Sequence, residues 1–248
     1  MRKITIFRYT PGSEPRWQDY QTDAASDDMV LSVLNRLRET QDATLSFRSS
    51  CRSAVCGLCA MLINDRPRLA CQTRIKELKE GPITLAPLTG MKVIKDLIVD
   101  MEPYWNNFKK IMPWLEEAAD SGDMFISNEV TDLQEKICAC ILCAACYAAC
   151  PEAGVQRDYL GPHALMEGYR FLQDPRDRAA EKRLAVLAGS EGAWGCNGAF
   201  ACISACPWKV SPINYVAKIR TDAMKVRLGL MKAEDCCEFK GKCGGKSE

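Results

Sequence analysis

The segment Cys51-Arg52-Ser53-Ala54-Val55-Cys56-Gly57-Leu58-Cys59 has three cysteines in the spacing C-x4-C-x2-C, and Cys71 follows after eleven further residues. A distant fourth cysteine behind such a run is typical of the plant-type loop that holds a [2Fe–2S] cluster. Zinc also takes four thiolates, but structural zinc sites usually have two C-x2-C pairs, and only Cys56 and Cys59 form one here. The segment therefore predicts a [2Fe–2S] domain with Cys51, Cys56, Cys59 and Cys71 as ligands.

Two further cysteine runs repeat each other 56 positions apart, from Cys140 to Cys196. The first is Cys140-x2-Cys143-x2-Cys146-x3-Cys150-Pro151, which has the spacing of bacterial ferredoxins. The second has Cys196, Cys202 and Cys206-Pro207, with Ala199 in the place of its second cysteine. This repetition favours duplication of one cluster-binding unit.

The pairing of the two runs follows the rule for two-cluster ferredoxins, in which the cysteine before proline binds the other cluster. The rule assigns one [4Fe–4S] cluster to Cys140, Cys143, Cys146 and Cys206. The second cluster keeps three ligands, Cys150, Cys196 and Cys202, which favours [3Fe–4S]. A [4Fe–4S] cluster with one non-protein ligand, or no cluster at this site, are the alternatives.

The bulk composition narrows the class of protein. A hydrophobic content of 47% and a charged content of 26% are typical of a soluble globular chain, and the formal charge of +1 gives no reason to expect nucleic acid. His163 is the only histidine. A Rieske centre needs two histidines on one iron, so this class of cluster is excluded. We expect His163 itself to be a helix-start or packing residue. We find no apolar signal-peptide core and no bilayer-spanning stretch. A reducing compartment is expected, where spaced cysteines are more often metal ligands than disulfides.

The chain is predicted to divide into an α+β domain, residues 1–98, and an all-α domain, residues 99–248. We expect strands at 4–9, 44–48, 60–63 and 82–85, and one helix near 30–37 capped by Ser26-Asp27-Asp28. Apolar residues at helical intervals predict helices near 91–101, 108–115, 160–172, 177–187 and 213–228.

The order of these motifs resembles the iron–sulfur subunit of succinate dehydrogenase and fumarate reductase, the respiratory complex II family. The similarity covers nearly the whole chain. Its most specific elements are residues 50–59, Ala70-Cys71, Cys140-Ile141-Leu142-Cys143, Cys150-Pro151, Gly161-Pro162 and the five-residue gap between Cys196 and Cys202.

The resemblance implies a β-grasp, plant-type ferredoxin-like domain followed by an all-α, bacterial-ferredoxin-like domain. The first docks on an FAD-containing flavoprotein subunit that interconverts succinate and fumarate, so the catalytic residues lie on that partner. The second docks on a membrane-anchor subunit of cytochrome b type, which carries haem b in some members, with [3Fe–4S] nearest the quinone. Electrons then run between flavin, [2Fe–2S], [4Fe–4S], [3Fe–4S] and quinone, at the cytoplasmic face of the inner membrane.

Two departures from the family pattern favour a menaquinone-linked fumarate reductase. Residues 152–155 stand where ubiquinone-linked succinate dehydrogenases have a tryptophan pair, and Asn197 stands where they have a histidine. Lys209, Lys218 and Arg220 either face the anchor or quinone or form a solvated basic helix face. The alternative functions are a stand-alone multi-cluster electron carrier and the ferredoxin part of a thiol-dependent fumarate reductase.

Four cysteines have no assigned role. Cys138 is expected to be a buried thiol, and Cys236, Cys237 and Cys243 lie in a Lys/Gly-rich tail of a kind that is usually mobile.

Overall fold

A computed structural model describes residues 1–116 and 126–239 of the chain. It forms two compact units. The first consists of Met1–Pro103, Ile141–Ala149 and Ser204–Pro207, and the second of Tyr104–Cys140, Cys150–Ile203 and the described residues from Trp208 onward. The division differs from the predicted contiguous domains 1–98 and 99–248. Two short cysteine-bearing segments belong to the first unit, because Ile141 and Cys143 pack against its apolar core.

The first unit is built on a five-stranded sheet in the order β2-β1-β5-β3-β4. Its strands are β1 (Arg2–Arg8), β2 (Arg16–Thr22), β3 (Ala60–Ile63), β4 (Arg66–Leu69) and β5 (Ile83–Ala86). The two ends of this order, β2 and β4, are edge strands. Pairing of β1 with β5 is parallel, and the other pairs are antiparallel.

Helix α1 (Val30–Thr40) contributes its apolar face to the same core as the sheet. Its buried residues lie at helical spacing, whereas β1 buries alternate residues, Ile4 and Ile6. Burial of each such side chain stabilises the fold by about 1.5–3 kcal/mol. The predicted helix is confirmed, but its predicted cap is wrong: Met29 is the N-cap, and the Asp28 carboxylate accepts from the Ala25 backbone N–H instead.

The apolar residues after Met91 were predicted to form a helix, and this prediction is wrong. They form a hairpin, β6 (Val93–Lys95) and β7 (Ile98–Val99), which turns at Asp96. The buried Asp96 carboxylate accepts from Arg8 and from the backbone N–H groups of Tyr9 and Ser46. Because Ser46 is held by this carboxylate and not by a ladder, the predicted strand at 44–48 does not form.

Helices make up most of the remaining chain. They are α2 (Glu102–Lys110), α3 (Asn128–Cys138), α4 (Ala145–Ala149), α5 (Pro151–Val155), α6 (Pro162–Leu172), α7 (Ala180–Leu187), α8 (Ala201–Ala205) and α9 (Pro212–Arg227), with single 3₁₀ turns at Ile75–Glu77, Ala193–Gly195 and Ala233–Asp235. Pro103 lies in the first turn of α2, where a helix needs no backbone N–H. Because α2 ends at Lys110, the helix predicted near 108–115 does not form as predicted. The predictions for α6, α7 and α9 are confirmed.

The second unit is organised around α6, which is buried on nearly every face and packs against α3, α7 and α9. His163 in its first turn is fully buried and stacks on Tyr104, with ring centroids 3.8 Å apart. Burial lowers the pKa of His163 to about 3, so this histidine is a neutral packing residue, as predicted. No helix in the described part of the chain is long and apolar enough to cross a membrane.

Candidate metal centres

The first predicted site lies in the loop before β3. Arg52, Ala54 and Gly57 have φ between 57° and 70°, a left-handed conformation that turns the backbone tightly. The Cys51 Sγ accepts from the backbone N–H groups of Ser53, Val55 and Cys56 at 3.3–3.4 Å. These donors lower the pKa of Cys51 to about 6. The loop therefore favours a thiolate, the form of cysteine that binds metal.

The β3–β4 hairpin brings the other two predicted ligands of this site, Cys59 and Cys71, close together. Ala60 pairs with Leu69, and just outside this pair the Ala70 N–H donates to the Cys59 carbonyl oxygen at 3.1 Å. Cys71 follows Ala70, and its N–H donates to the Cys59 Sγ at 3.4 Å. Burial, followed by the nearby Cys71 and Cys56 thiols, raises the pKa of Cys59 to about 12. A metal would supply the positive charge that this crowded set of thiolates requires.

The loop of the first site lies directly against the second cysteine run. A Cβ built on Gly57 would stand 2.8 Å from the Ile141 carbonyl oxygen and 2.9 Å from the Cys143 Cα. Contacts below 3.0 Å are essentially never made by real Cβ atoms. Only glycine therefore allows this approach between two cysteine-bearing segments of the first unit.

The second predicted set includes Cys143, Cys146 and Cys206 from segments of the first unit, while Cys140 is the residue immediately before Ile141. Burial raises the pKa of Cys143, and the neighbouring Cys206 adds to the effect. The structure thus brings Cys206 close to Cys143, although 62 residues separate them in the sequence. Leu142 and Ala144, on either side of Cys143, have left-handed φ values of 51° and 62°.

The third predicted set surrounds a cavity in the second unit. Cys150, Cys196 and Cys202 line it together with Ala199, the residue that replaces a cysteine in the repeat. The cavity is partly open to solvent, and its volume is about 20 Å³, which is room for about one water molecule. Burial, then the Cys150 and Cys196 thiols, raises the pKa of Cys202 to about 11. The three cysteines that are predicted to bind one cluster thus line the same cavity.

Two residues that sequence reasoning missed hold Cys196 in place. Arg220 was predicted either to meet a partner or to lie on a solvated face. It instead donates to the carbonyl oxygens of Ala193 and Cys196, and its guanidinium lies 5.5 Å from the Trp194 ring centroid. Tyr159 is buried and lines the same cavity. No local sequence signal marks either residue, because each acts on a segment more than twenty positions away.

Asn197 and Glu152 connect the two cysteine segments of the third set. The Asn197 side-chain amide donates to the Glu152 carboxylate at 2.6 Å, and its oxygen accepts from the Ala199 backbone N–H at 3.2 Å. Glu152 follows Cys150 by two residues, and Asn197 follows Cys196 directly. This bridge joins the loops that carry two of the three thiols.

The other cysteines differ from expectation. Cys138 was expected to be buried, but it is exposed, and the Arg170 guanidinium donates to its Sγ at 3.0 Å. Cys236 and Cys237 are buried, because Gln173 binds the Cys236 carbonyl and the Glu238 N–H. Cys243 lies outside the described residues. Within residues 1–116 and 126–239, no three His, Cys, Asp or Glu side chains are placed to hold one metal ion.

Two family models match parts of the chain. Residues 3–106 match the family described as "2Fe-2S iron-sulfur cluster binding domain", and residues 133–207 match "4Fe-4S dicluster domain". The fold is similar to a chain of the Mycobacterium smegmatis Sdh1 complex, with a TM-score of 0.82, 23% identity and coverage of 93% of this chain and 98% of that one.

Curated relatives extend over almost the whole sequence. The fumarate reductase iron-sulfur subunit of Mycobacterium tuberculosis is 35% identical over 89% of this chain and 92% of its own length. The fumarate reductase iron-sulfur subunit of Wolinella succinogenes is 34% identical, over 91% and 98%, and the mitochondrial succinate dehydrogenase [ubiquinone] iron-sulfur subunit of Candida glabrata is 34% identical, over 89% and 90%. With its sheet-containing first part, its helical second part and its cysteine runs, this chain belongs to the family of iron–sulfur subunits of fumarate reductase and succinate dehydrogenase.

Proposed function

We propose that this chain relays electrons between the FAD of a flavoprotein subunit and menaquinone at a membrane anchor, as the iron–sulfur subunit of a fumarate reductase. The observation that carries the proposal is the cavity at which Cys150 meets Cys196 and Cys202, beside Ala199. This supports the interlocked arrangement of a two-cluster ferredoxin, in which the cysteine before proline binds the other cluster, with Ala199 in place of a fourth cysteine.

The three cysteine sets fit three different clusters. Cys51, Cys56, Cys59 and Cys71 would hold [2Fe–2S] on a β-grasp ferredoxin-like domain, and the N–H donors around the Cys51 Sγ support this. Cys140, Cys143, Cys146 and Cys206 would hold [4Fe–4S]. Cys150, Cys196 and Cys202 would hold [3Fe–4S], because Ala199 offers no sulfur to a fourth iron. When bound, such clusters supply carriers of one electron each.

The role of this chain's own residues is to hold and position the carriers. The Gly57 contact brings the loop of the first set against the backbone of Cys143, which favours passage of electrons between the first two sets. The dicarboxylate chemistry belongs to the flavoprotein partner, as the family resemblance implies, and we assign no catalytic residue to this chain.

Exposed apolar side chains beside two of the sets support partner docking. Val55 and Leu58, in the loop of the first set, are 64% and 47% exposed, which suits a flavoprotein surface. Trp194 and Phe200, which flank Cys196 in sequence, are 48% and 60% exposed, which suits a membrane-anchor subunit. Contiguous exposed apolar patches mark interaction sites, and we propose that each of these pairs belongs to such a docking patch. The family resemblance implies a peripheral position on the cytoplasmic face of the inner membrane, and we propose this location for the chain.

The test is EPR with iron and sulfide analysis of the complex, purified anaerobically by a tag on this chain. We expect three cluster signals and two co-purifying partners, one containing FAD and one in the membrane. Cys143→Ser should remove the [4Fe–4S] signal and the electron transfer to quinone, whereas Cys138→Ser, at an exposed thiol outside all three sets, should keep both. An iron-free complex that is fully active would contradict the proposal. A chain that purifies alone, monodisperse and redox-competent, would favour the stand-alone carrier.

A further inference from the structure

Tyr159 is the one aromatic residue of the third cavity that is fully buried. It is 1% exposed and lines the cavity with Cys150, Cys196 and Cys202. Phe200, which also lines the cavity, is by contrast mostly exposed. A tyrosine at such a place brings a hydroxyl donor into a space otherwise lined by sulfur and apolar groups.

The position of the Tyr159 ring is fixed from several sides. Its carbonyl oxygen accepts from the Asn107 side-chain amide at 3.0 Å, and its backbone N–H donates to the Gln156 carbonyl at 3.1 Å. A Cβ on Gly195 would lie 2.9 Å from the Tyr159 Cδ2, so this glycine lets the ring press against the backbone just before Cys196. The main chain of Tyr159 is therefore held by two hydrogen bonds, and its ring packs against the backbone of Gly195 beside Cys196.

The hydroxyl of Tyr159 lies within reach of the Cys196 thiol, at the cavity that both residues line. A tyrosine hydroxyl keeps its proton near neutral pH, so it is the donor toward a thiolate. Arg220 meanwhile fixes the carbonyl oxygen of the same cysteine, so the main chain and the sulfur of Cys196 are held by different residues.

We propose that the Tyr159 hydroxyl donates a hydrogen bond to the Cys196 thiolate and thereby raises the reduction potential of the cluster held by Cys150, Cys196 and Cys202. The inference rests on the proposed function, because it requires a cluster at this cavity. One electron enters the cluster on reduction, no bond breaks, and Tyr159 keeps its proton. The added negative charge spreads onto the sulfurs, so a donor at Cys196 stabilises the reduced form more than the oxidised form. Tyr159 is thus a positioning and tuning residue.

The experiment is an EPR-monitored redox titration of the intact complex with Tyr159→Phe, and with Tyr215→Phe as the matched control. Tyr215 is also buried and lies on α9, where it packs against the Tyr169 ring, and burial alone raises its pKa. We expect Tyr159→Phe to shift the ratio of reduced to oxidised [3Fe–4S] at a fixed potential about tenfold toward the oxidised form, which for one electron is about 59 mV. In the Tyr215→Phe complex the [3Fe–4S] cluster should have the same midpoint potential as in the unsubstituted complex.

The outcomes distinguish a failure of the proposed function from a failure of the role assigned to Tyr159. A parent complex without a [3Fe–4S] signal would overturn the proposed function at this site. A normal signal whose midpoint is the same in the parent and in Tyr159→Phe would overturn only the tyrosine inference. If Tyr159→Phe fails to assemble the cluster, a ring-fluorinated tyrosine at position 159 decides the matter. It retains the hydroxyl and makes it a stronger donor, so the potential should rise, and an unchanged potential would refute the role.

Discussion

Replacement of Gly57 by alanine should destabilise the chain through two separable effects. Gly57 has φ +70°, and a side chain in this left-handed region costs about 1–2 kcal/mol. The added Cβ would also stand 2.8–2.9 Å from backbone atoms of Ile141 and Cys143, where ordinary contact begins at 3.4 Å. The two segments must separate by roughly half an ångström, an overpacking that costs about 1–3 kcal/mol. Together the two effects cost about 2–5 kcal/mol.

Gly12→Ala is the matched control, because Gly12 has φ +87° and its Cβ would meet nothing within 4 Å. It carries the backbone strain without the contact. The assay is loss of the visible cluster absorption during heating at one scan rate, in the purified complex. A chain of this size loses about 2–4 °C for each kcal/mol, so Gly57→Ala should bleach about 2–12 °C below Gly12→Ala.

Equal bleaching temperatures for the two alanine variants would refute the reasoning. They would mean that the loop of the first cysteine set does not touch the Cys143 segment as the structure has it. The same result would remove the support that this contact gives to electron passage between the first two sets.

Three further predictions follow from single side chains. Ala199→Cys adds a thiol to the third cavity and should convert the [3Fe–4S] EPR signal toward [4Fe–4S]; an unchanged oxidised signal would show that the repeat is misaligned. Burial raises the pKa of Glu167 to about 7 from its ordinary 4.5, so the folded state holds more protons between these values. Stability should then fall as pH rises from 4.5 to 7, by on the order of 3 kcal/mol, and melting curves of Glu167→Gln should lack this slope. Arg183 is fully buried and donates to a buried aspartate and to three carbonyl oxygens, so Arg183→Met should cost about 3–5 kcal/mol in unfolding free energy. Lys3→Met, which breaks an exposed ion pair, should cost under about 1 kcal/mol, and equal losses for both variants would contradict the packing described.

Local sequence patterns correctly predicted those elements whose apolar residues follow the period of a helix or a strand. The helix α1 and the strands β1, β3 and β5 were predicted because their apolar residues follow one period, and the burial of Val30, Leu34 and Leu37 matches it. The edge strands β2 and β4 were missed. Both strands carry charged side chains, and β4 contains Pro67. Such residues are typical of edge strands, and they interrupt the apolar alternation by which a strand is recognised in a sequence.

The hairpin at 93–99 was mistaken for a helix for a different reason. Its apolar residues satisfy a helical spacing as well as a strand spacing, and short runs of this kind carry no decisive period. The hairpin is stabilised over a helix by Asp96 at its turn, whose buried carboxylate accepts hydrogen bonds from Arg8, Tyr9 and Ser46. These partners are at least fifty positions away along the chain, beyond the reach of any local pattern.

Cysteine spacing predicted the cluster types, because the ligands of an iron–sulfur cluster are mostly close in sequence, and the resemblance of the motif order to a known family predicted the family. The neighbours of those ligands were decided by the folded chain. Gly57 against Cys143, Arg220 on the Cys196 carbonyl and Tyr159 on its thiol each join residues tens of positions apart. Such contacts depend on how helices and loops pack in three dimensions, and the residues that make them look ordinary in the sequence.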